Sequence, residues 1–230
     1  MDWKQRNRSF YYAGAPDPVP PPLDPGTTAL LVIDVQNVYL DRPDREMLSM
    51  AERETYDAWT PFHDRMTGTV IPNTARLLAA CRGLGVECTF ARIACLKTDG
   101  RDRSLSQKMP GWNHLLLPFR EEPSQLVPEL APEADEIVVT KTTDSALTGT
   151  NLRLVLANMG IRTVICAGIF TDQCVSSTVR SLADESFHVV VVEDCCAAGT
   201  MELHTQELAI LNMIYCHVMR HDELLALMTP

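Results

Sequence analysis

Short runs of apolar residues recur along this 230-residue chain and constrain its fold more than any other feature. Five of them are continuous: Thr28 to Asp34, Val86 to Ile93, Glu136 to Thr140, Thr163 to Ile169 and His188 to Asp194. A sixth, weaker run spans residues 215–219. Continuous apolar runs of this length are typical of strands that are buried on both faces of a parallel sheet.

Segments with helical periodicity lie between these runs, at residues 71–85, 149–160, 172–186 and 204–214. Gly83 and Gly85 mark the end of the first of them, and Gly160 marks the end of the second. Strands and helices that alternate at this spacing form right-handed βαβ units. The chain is therefore predicted to be an α/β protein, and its length suits one large domain better than two small ones.

The first 26 residues differ from the rest because they are rich in proline and aromatic residues. Five prolines, at positions 16, 18, 20, 21 and 22, exclude a regular helix and disfavour a central strand. We predict an extended arm over residues 1–26 and one folded domain over 27–230. The arm either docks on the body, docks on a neighbouring subunit or is disordered. Residues 38–69 and 94–135 are long insertions, which are typical of lids and binding loops.

Composition counts against several classes of partner. The formal net charge of -10 disfavours binding to nucleic acid or to an anionic membrane surface. The first ten residues lack the apolar core of a secretion signal, and no apolar run approaches the ~18 residues of a membrane span. We therefore predict that the protein is cytoplasmic and that its eight cysteines are free thiols. The absence of a Cys-x-x-Cys pair makes a structural zinc site improbable.

Three reactive side chains follow three different runs. Asp34 ends the first run, Lys141 follows the third, and Cys174 comes shortly after the fourth. In open α/β sheets the ligand site lies beyond the carboxyl ends of the strands. An acid, a base and a thiol are thus predicted to converge on one rim of the sheet.

Cys174 is predicted to lie in the first turn of a helix that Thr171 or Asp172 caps. The helix dipole and a nearby lysine would lower the pKa of its thiol. The thiolate could attack a carbonyl carbon, and Asp34 could move the proton to a leaving amine.

Lys141 would keep Asp34 ionised, and the N–H groups of Phe170 and Cys174 would form an oxyanion hole worth ~3 kcal/mol per donor. Each residue also has a structural interpretation. Cys174 could be a small apolar filler, Asp34 a cap and Lys141 a solvated loop end. Residue types and positions alone leave both interpretations open.

Three motifs resemble those of the isochorismatase-like cysteine hydrolases. They are LLVIDVQN (30–37), VTKTTDSALTGTNLRLVL (139–156) and AGIFTDQCVSSTVRSLADESFHVVVVEDCCAA (167–198). The resemblance runs from about Thr27 to the C-terminus.

It implies a three-layer α/β/α sandwich with a six-stranded parallel sheet in the order 3-2-1-4-5-6. It also implies an Asp34–Lys141–Cys174 triad and a cis peptide bond at Ile169–Phe170. Members of the family hydrolyse small amides and ureas, and many are dimers or tetramers, so a homodimer or homotetramer without a cofactor is expected.

Departures from the family patterns narrow the expected reaction, metal content and substrate. There is no histidine between Asp34 and His63, where nicotinamidases carry a metal pair, so no metal is expected. The presence of Cys174 favours a thioester route over vinyl-ether cleavage. Leu147 replaces an aromatic residue of the pocket wall. Ile214 or Tyr215 stands where biuret-type enzymes place a glutamine, which counts against biuret itself.

Candidates for substrate binding follow from position. Gln36 and Asn37 could orient Asp34. Arg92, at the end of the second run, could hold a carboxylate or ureido oxygen, or pair with a surface acid. Four aromatic residues could close the pocket or form a satellite core: Tyr39, Tyr56, Trp59 and Phe62.

The long insertion 94–135 carries an aromatic residue among cationic residues. They are Trp112 with Arg101, Arg103, Lys108 and His114. Such a group suits a planar polar substrate, or it could be a lid that packs against another subunit.

The sequence therefore predicts a metal-independent cysteine amidohydrolase. It would cleave a C–N bond of a small amide or ureide through a Cys174 thioester. The alternatives are an isochorismatase-type vinyl-ether hydrolase and a non-catalytic family member that acts as a binding subunit.

Overall fold

The computed structural model describes residues 2–111 and 115–229, and its centre is a six-stranded parallel sheet. The strands are β1 (Thr28–Ile33), β2 (Glu87–Ile93), β3 (Ile137–Lys141), β4 (Thr163–Ile169), β5 (His188–Ala197) and β6 (His217–Met219). Their order is β3-β2-β1-β4-β5-β6, and every pair is parallel. This order confirms the predicted sheet.

The α-helices are α1 (Met50–Arg65), α2 (Ile71–Leu84), α3 (Leu152–Asn158), α4 (Ser176–Asp184), α5 (Met201–Leu211) and α6 (His221–Met228). Wide π-helical turns at Met66–Val70 and Thr171–Val175 lead into α2 and α4. In the part of the chain that the structure describes, no helix is long and apolar enough to cross a membrane.

Helix α1 lies in the segment 38–69, which the sequence predicted only as an insertion. Its start carries a local signal, because Ser49 and Glu52 form a reciprocal capping box. Phe62 is its only buried residue, so the apolar periodicity that reveals the other helices is weak here.

Two apolar clusters cover the two faces of the sheet. Leu30 and Val32 of β1 belong to the same cluster as Leu78 of α2, whereas Leu31 and Ile33 belong to the cluster on the other face. Alternate side chains of a strand point to opposite faces, so both faces of β1 are buried. The result is the predicted three-layer sandwich. All eight cysteines are buried and free.

The N-terminal arm docks on the body of its own chain. Trp3 is buried and contacts the His217 ring of β6 edge-on, with 5.7 Å between ring centroids. Arg6 pairs with Glu193 of β5 at 2.9 Å. The arm is not extended throughout, because Phe10–Tyr12 form a 3₁₀ turn. These contacts identify the docking surface that the sequence left open.

Position 168, where β4 pairs with Ile33 of β1, requires glycine. Its φ is 120°, and a Cβ atom there would lie 2.0 Å from the carbonyl oxygen of Ile33. That distance is far below a van der Waals contact, and it involves backbone that cannot move aside. The two strands carry Asp34 and Phe170 just beyond this point.

Gly168→Ala is expected to lower the free energy of unfolding by about 3 kcal/mol or more, because the added methyl group forces β1 and β4 apart. Thermal and denaturant unfolding measure the loss. Gly83→Ala is the matched control, since a Cβ there meets nothing within 4 Å. Equal stability of the two variants would contradict the close approach.

Candidate active site

Asp34 follows β1 directly and is held in place by the backbone. Its φ is 54°, and its N–H donates to the Ala91 carbonyl of β2 at 2.9 Å. The side chain is 2% exposed. Lys141 is the last residue of β3, two strands away, and it is fully buried. Its long side chain passes the end of β2 to reach Asp34.

Lys141 joins the other two members of the predicted triad. Its Nζ lies 2.6 Å from Asp34 Oδ2 and 3.2 Å from Cys174 Sγ. The ammonium also donates to the Thr143 carbonyl at 3.2 Å. The structure therefore brings together Asp34, Lys141 and Cys174, which the sequence placed on one rim.

Burial and charge act in opposite directions on this cluster. Burial raises the pKa of Asp34, and the Lys141 ammonium counteracts part of that effect. Burial works against the charge of Lys141, yet Asp34 and Cys174 hold its pKa above the usual value. The pair is therefore a buried carboxylate and ammonium that depend on each other.

The thiol differs from the sequence prediction. Burial raises the pKa of Cys174 well above its ordinary value, Asp34 raises it further, and Lys141 only partly offsets them. This direction is opposite to the lowered pKa that the sequence predicted for a thiol at a helix N-terminus. The physical reason is that the thiol is only 6% exposed and faces the Asp34 carboxylate. Neither its burial nor this contact can be derived from the sequence.

The turn that carries Cys174 also differs in detail. Phe170 is the N-terminal cap of the π-helical turn Thr171–Val175, and no side chain caps it. Thr171, a predicted cap, instead contacts the His204 ring, with 2.8 Å between Oγ1 and Nδ1. The Ile169–Phe170 peptide bond is cis, as the resemblance implied.

His204 supports this turn from α5. Its Nε2 lies 3.1 Å from Arg65 Nη2, so the ring accepts there and its Nδ1–H donates to Thr171. Burial, assisted by the charge of Arg65, lowers the pKa of His204 to about 4. The neutral ring is therefore part of the folded structure.

Acidification is expected to destabilise the protein through His204. Because the pKa rises from about 4 in the folded chain to 6.5 in the unfolded chain, stability present above pH 6.5 is lost as the pH falls toward 4, by about 3 kcal/mol. Denaturant unfolding of wild type and His204→Gln between pH 7 and 4 measures this. The variant should lack that slope, and the exposed control His188→Gln should keep it.

A cavity of about 690 Å³ opens above the cluster. Asp34 and Cys174 lie among its lining residues. One wall is aromatic, because Phe170 contacts the rings of Tyr39, Trp59 and Phe62 at centroid distances of 5.2–6.0 Å. Of the four predicted aromatic residues, only Tyr56 lies elsewhere, in a neighbouring cleft of about 580 Å³.

The opposite wall contains residues that sequence reasoning missed or named only as part of a group. Arg103 and Gln107 come from the long insertion, and Asp144 follows Lys141 by three residues. Gln107 Nε2 donates to Asp144 Oδ1 at 2.5 Å, and Cys174 Sγ lies 3.8 Å from the same oxygen. Asp144 occupies a variable position of the second motif, so no pattern singled it out.

Of the predicted substrate-binding residues, Tyr39 lines the cavity. Burial raises the pKa of Tyr39, so its hydroxyl is a protonated donor.

Gln36 lies outside the cavity. It is fully buried and bonds the backbone of Ile93 with both ends of its amide. Asn37 donates to the Glu122 carbonyl at 3.1 Å. Gln36 and Asn37 therefore hold the loops together, and we correct their prediction as substrate contacts.

Arg92 is not among the residues that line the cavity, and its Nε donates to Thr140 Oγ1 on β3 at 3.2 Å. Leu147 is partly buried and packs against the apolar cluster that includes Leu31 and Ile33. Tyr215 is partly buried against the same cluster, with the Arg180 guanidinium over its ring, and Ile214 is 55% exposed. These four are likewise corrected as substrate contacts, whereas predicted Trp112 lies outside the described residues.

One group of metal-ligand atoms occurs among residues 2–111 and 115–229: Asp194, His221 and Asp222, whose atoms lie within 4.8 Å of one another. Asp194 already accepts from the His221 backbone N–H at 2.9 Å, and its Oδ2 lies 2.7 Å from Nδ1. The contact ties α6 to β5, so this group has a structural role.

The sheet order and the buried Asp–Lys–Cys cluster at its carboxyl rim define a doubly wound α/β protein with a thiol site. Residues 28–223 match the model of the isochorismatase domain. The chain belongs to the isochorismatase family.

Relatives and structures agree with this assignment. The chain is 30% identical to a ureidoacrylate amidohydrolase of Methylobacterium radiotolerans over 93% of its length and 83% of the relative. It is 29% identical to that of Pseudomonas syringae, over 85% of this chain and 80% of the relative. A cysteine hydrolase from Pseudomonas syringae pv. phaseolicola shares the fold, with a TM-score of 0.76 and 21% identity over 92% of this chain and 97% of that one.

Proposed function

We propose that the chain is a metal-independent cysteine amidohydrolase that cleaves a C–N bond of a small amide or ureide through a Cys174 thioester. The observation that carries the proposal is the position of Lys141 Nζ, which contacts both Asp34 Oδ2 and Cys174 Sγ beneath a cavity. The relatives named ureidoacrylate amidohydrolases support the reaction class.

In the first half-reaction the raised pKa of Cys174 keeps the thiol protonated until substrate binds. Asp34 then accepts the thiol proton while sulfur attacks the carbonyl carbon. Lys141 stabilises the negative charge near sulfur. The N–H groups of Phe170 and Cys174 bind the developing oxyanion, each worth ~3 kcal/mol. Asp34 returns the proton to nitrogen, the C–N bond breaks, and ammonia or an amine leaves.

In the second half-reaction water attacks the thioester carbonyl. Asp34, ionised again, accepts a proton from the water, and the second tetrahedral intermediate forms in the same oxyanion hole. The C–S bond breaks, sulfur takes the proton from Asp34, and the acid or carbamate leaves. One carboxylate thus serves both halves.

A panel of small amides and ureides, assayed for ammonia release with wild type and Cys174→Ala, tests the proposal. Turnover that depends on Cys174, with a covalent adduct of the acyl mass on the protein, supports it. Pyruvate release from isochorismate without ammonia from any amide would instead indicate vinyl-ether hydrolysis.

Chelation is expected to leave turnover unchanged, because the proposed steps use only protein side chains. The rate of ammonia release is measured before and after dialysis against EDTA. Loss of activity that zinc restores would contradict the metal-free mechanism.

A further inference from the structure

The charges that line the cavity are predominantly negative. Besides Asp34, which is paired with Lys141, three carboxylates line it: Asp41, Asp144 and Asp172. Arg103 is the only arginine or lysine among the described lining residues. Burial lowers the pKa of His63, the histidine of the lining, so it adds no positive charge at neutral pH.

Arg103 is already occupied by the protein. The side chain is 8% exposed, and its two terminal nitrogens donate to the Leu115 carbonyl and to Gln107 Oε1. Its Nε is also buried and has no hydrogen-bond partner among the described residues. Because the side chain is buried, a substrate carboxylate could pair with the guanidinium only after Arg103 became more exposed.

Hydrogen bonds link Arg103 to Asp144 through the amide of Gln107. With Oε1 held by Arg103, the Gln107 amide turns its Nε2–H₂ to Asp144 Oδ1. The loop beneath it is fixed to α4, because Ser145 Oγ donates to Ser181 Oγ at 2.9 Å and the Ala146 N–H donates to Thr178 Oγ1 at 3.0 Å.

Asp144 is close enough to Cys174 to contact a substrate bound at the nucleophile. Its Oδ1 lies 3.8 Å from Cys174 Sγ, and its side chain is half-buried at the cavity wall. Within the described residues, its second oxygen forms no hydrogen bond. That oxygen can accept from an N–H group next to the carbonyl that Cys174 attacks, whereas a carboxylate would be repelled.

We propose that the cavity selects amides or ureides that carry a neutral or cationic group and excludes carboxylates, with Asp144 as the specificity-determining residue. This inference rests on the proposed function and refines its substrate class. It distinguishes the chain from relatives named for ureidoacrylate, which is itself a carboxylate.

Three ureides of matched length test the proposal: (2-aminoethyl)urea, propylurea and 3-ureidopropionate. Their dissociation constants for full-length Cys174→Ala protein are measured by titration calorimetry at low salt. We expect the cationic ureide to bind about tenfold or more tightly than the anionic one, with the neutral ureide between them. Tighter binding of 3-ureidopropionate, or binding of none of the three, overturns the proposal.

Asp144→Asn in the same background should reduce the preference for the cationic ureide to about threefold or less. Asp135→Asn is the matched control, because it removes an exposed carboxylate before the amino end of β3, and it should retain the preference. An unchanged preference in Asp144→Asn overturns the proposal.

Turnover separates the two proposals. In the Cys174-containing protein, Asp144→Asn should change the ratio of the kcat/KM values for the cationic and anionic ureides. It should keep the acid limb of the pH profile, which is the fall in kcat/KM at low pH as Asp34 becomes protonated. Loss of that limb would make Asp144 the base and overturn its specificity role. Ammonia release that is independent of Cys174 would contradict the proposed function, whatever the binding order.

Discussion

Replacing Cys174 by alanine is expected to reduce ammonia release from an amide or ureide by at least ~10⁴-fold, because no other atom takes the place of sulfur in a covalent route. Cys174→Ser is expected to lose activity as well, since Lys141 and Asp34 are positioned around the larger sulfur atom. Steady-state ammonia assays measure both variants.

The fold should survive this change. Cys174 is a small side chain beside a cavity, so the free energy of unfolding should change by about 1 kcal/mol or less. Cys216→Ala is the matched control, because Cys216 is equally buried at 6% exposure in the same apolar cluster but does not line the cavity. It should lose stability and keep turnover. Retention of more than about 1% of the wild-type rate in Cys174→Ala would contradict nucleophilic catalysis.

Asp34→Asn is expected to affect both activity and stability. The variant loses the base, which is worth up to ~10⁴-fold in rate. It also leaves the fully buried Lys141 ammonium without a counter-charge, which costs about 3–5 kcal/mol of unfolding free energy. Turnover assays and denaturant unfolding measure the two losses separately.

The double variant Asp34→Asn/Lys141→Met distinguishes the two effects. Removing the unpaired charge should restore most of the stability but none of the activity. Because burial raises the pKa of Asp34, the acid limb of the wild-type kcat/KM profile should lie above pH 3.8. Restored turnover in the double variant would show that Asp34 is not the base.

The sequence predicted the sheet because burial on both faces requires continuous apolar runs. The run 163–169 became β4 with the same bounds, and 86–93 differs from β2 by one residue. Helix α1 escaped prediction because its stability depends on a capping box and on polar surface rather than on an apolar stripe.

The substrate-binding residues were predicted less well than the triad. Gln36 and Arg92 are near the rim in sequence, but their hydrogen bonds are satisfied by neighbouring strands and loops. Asp144 was missed although it lies in a quoted motif. Its position beside Cys174 depends on contacts with Gln107, a residue 37 positions away in the chain.

The sequence by itself determined which strands form, their order through the family resemblance, and the rim on which Asp34, Lys141 and Cys174 meet. These features follow from local patterns, because strand ends in a parallel sheet have a fixed polarity. The tertiary structure alone decided the direction in which the pKa of the Cys174 thiol shifts and the composition of the cavity. Both depend on burial and on contacts between distant loops, which set the local electrostatics and cannot be read from residue spacing.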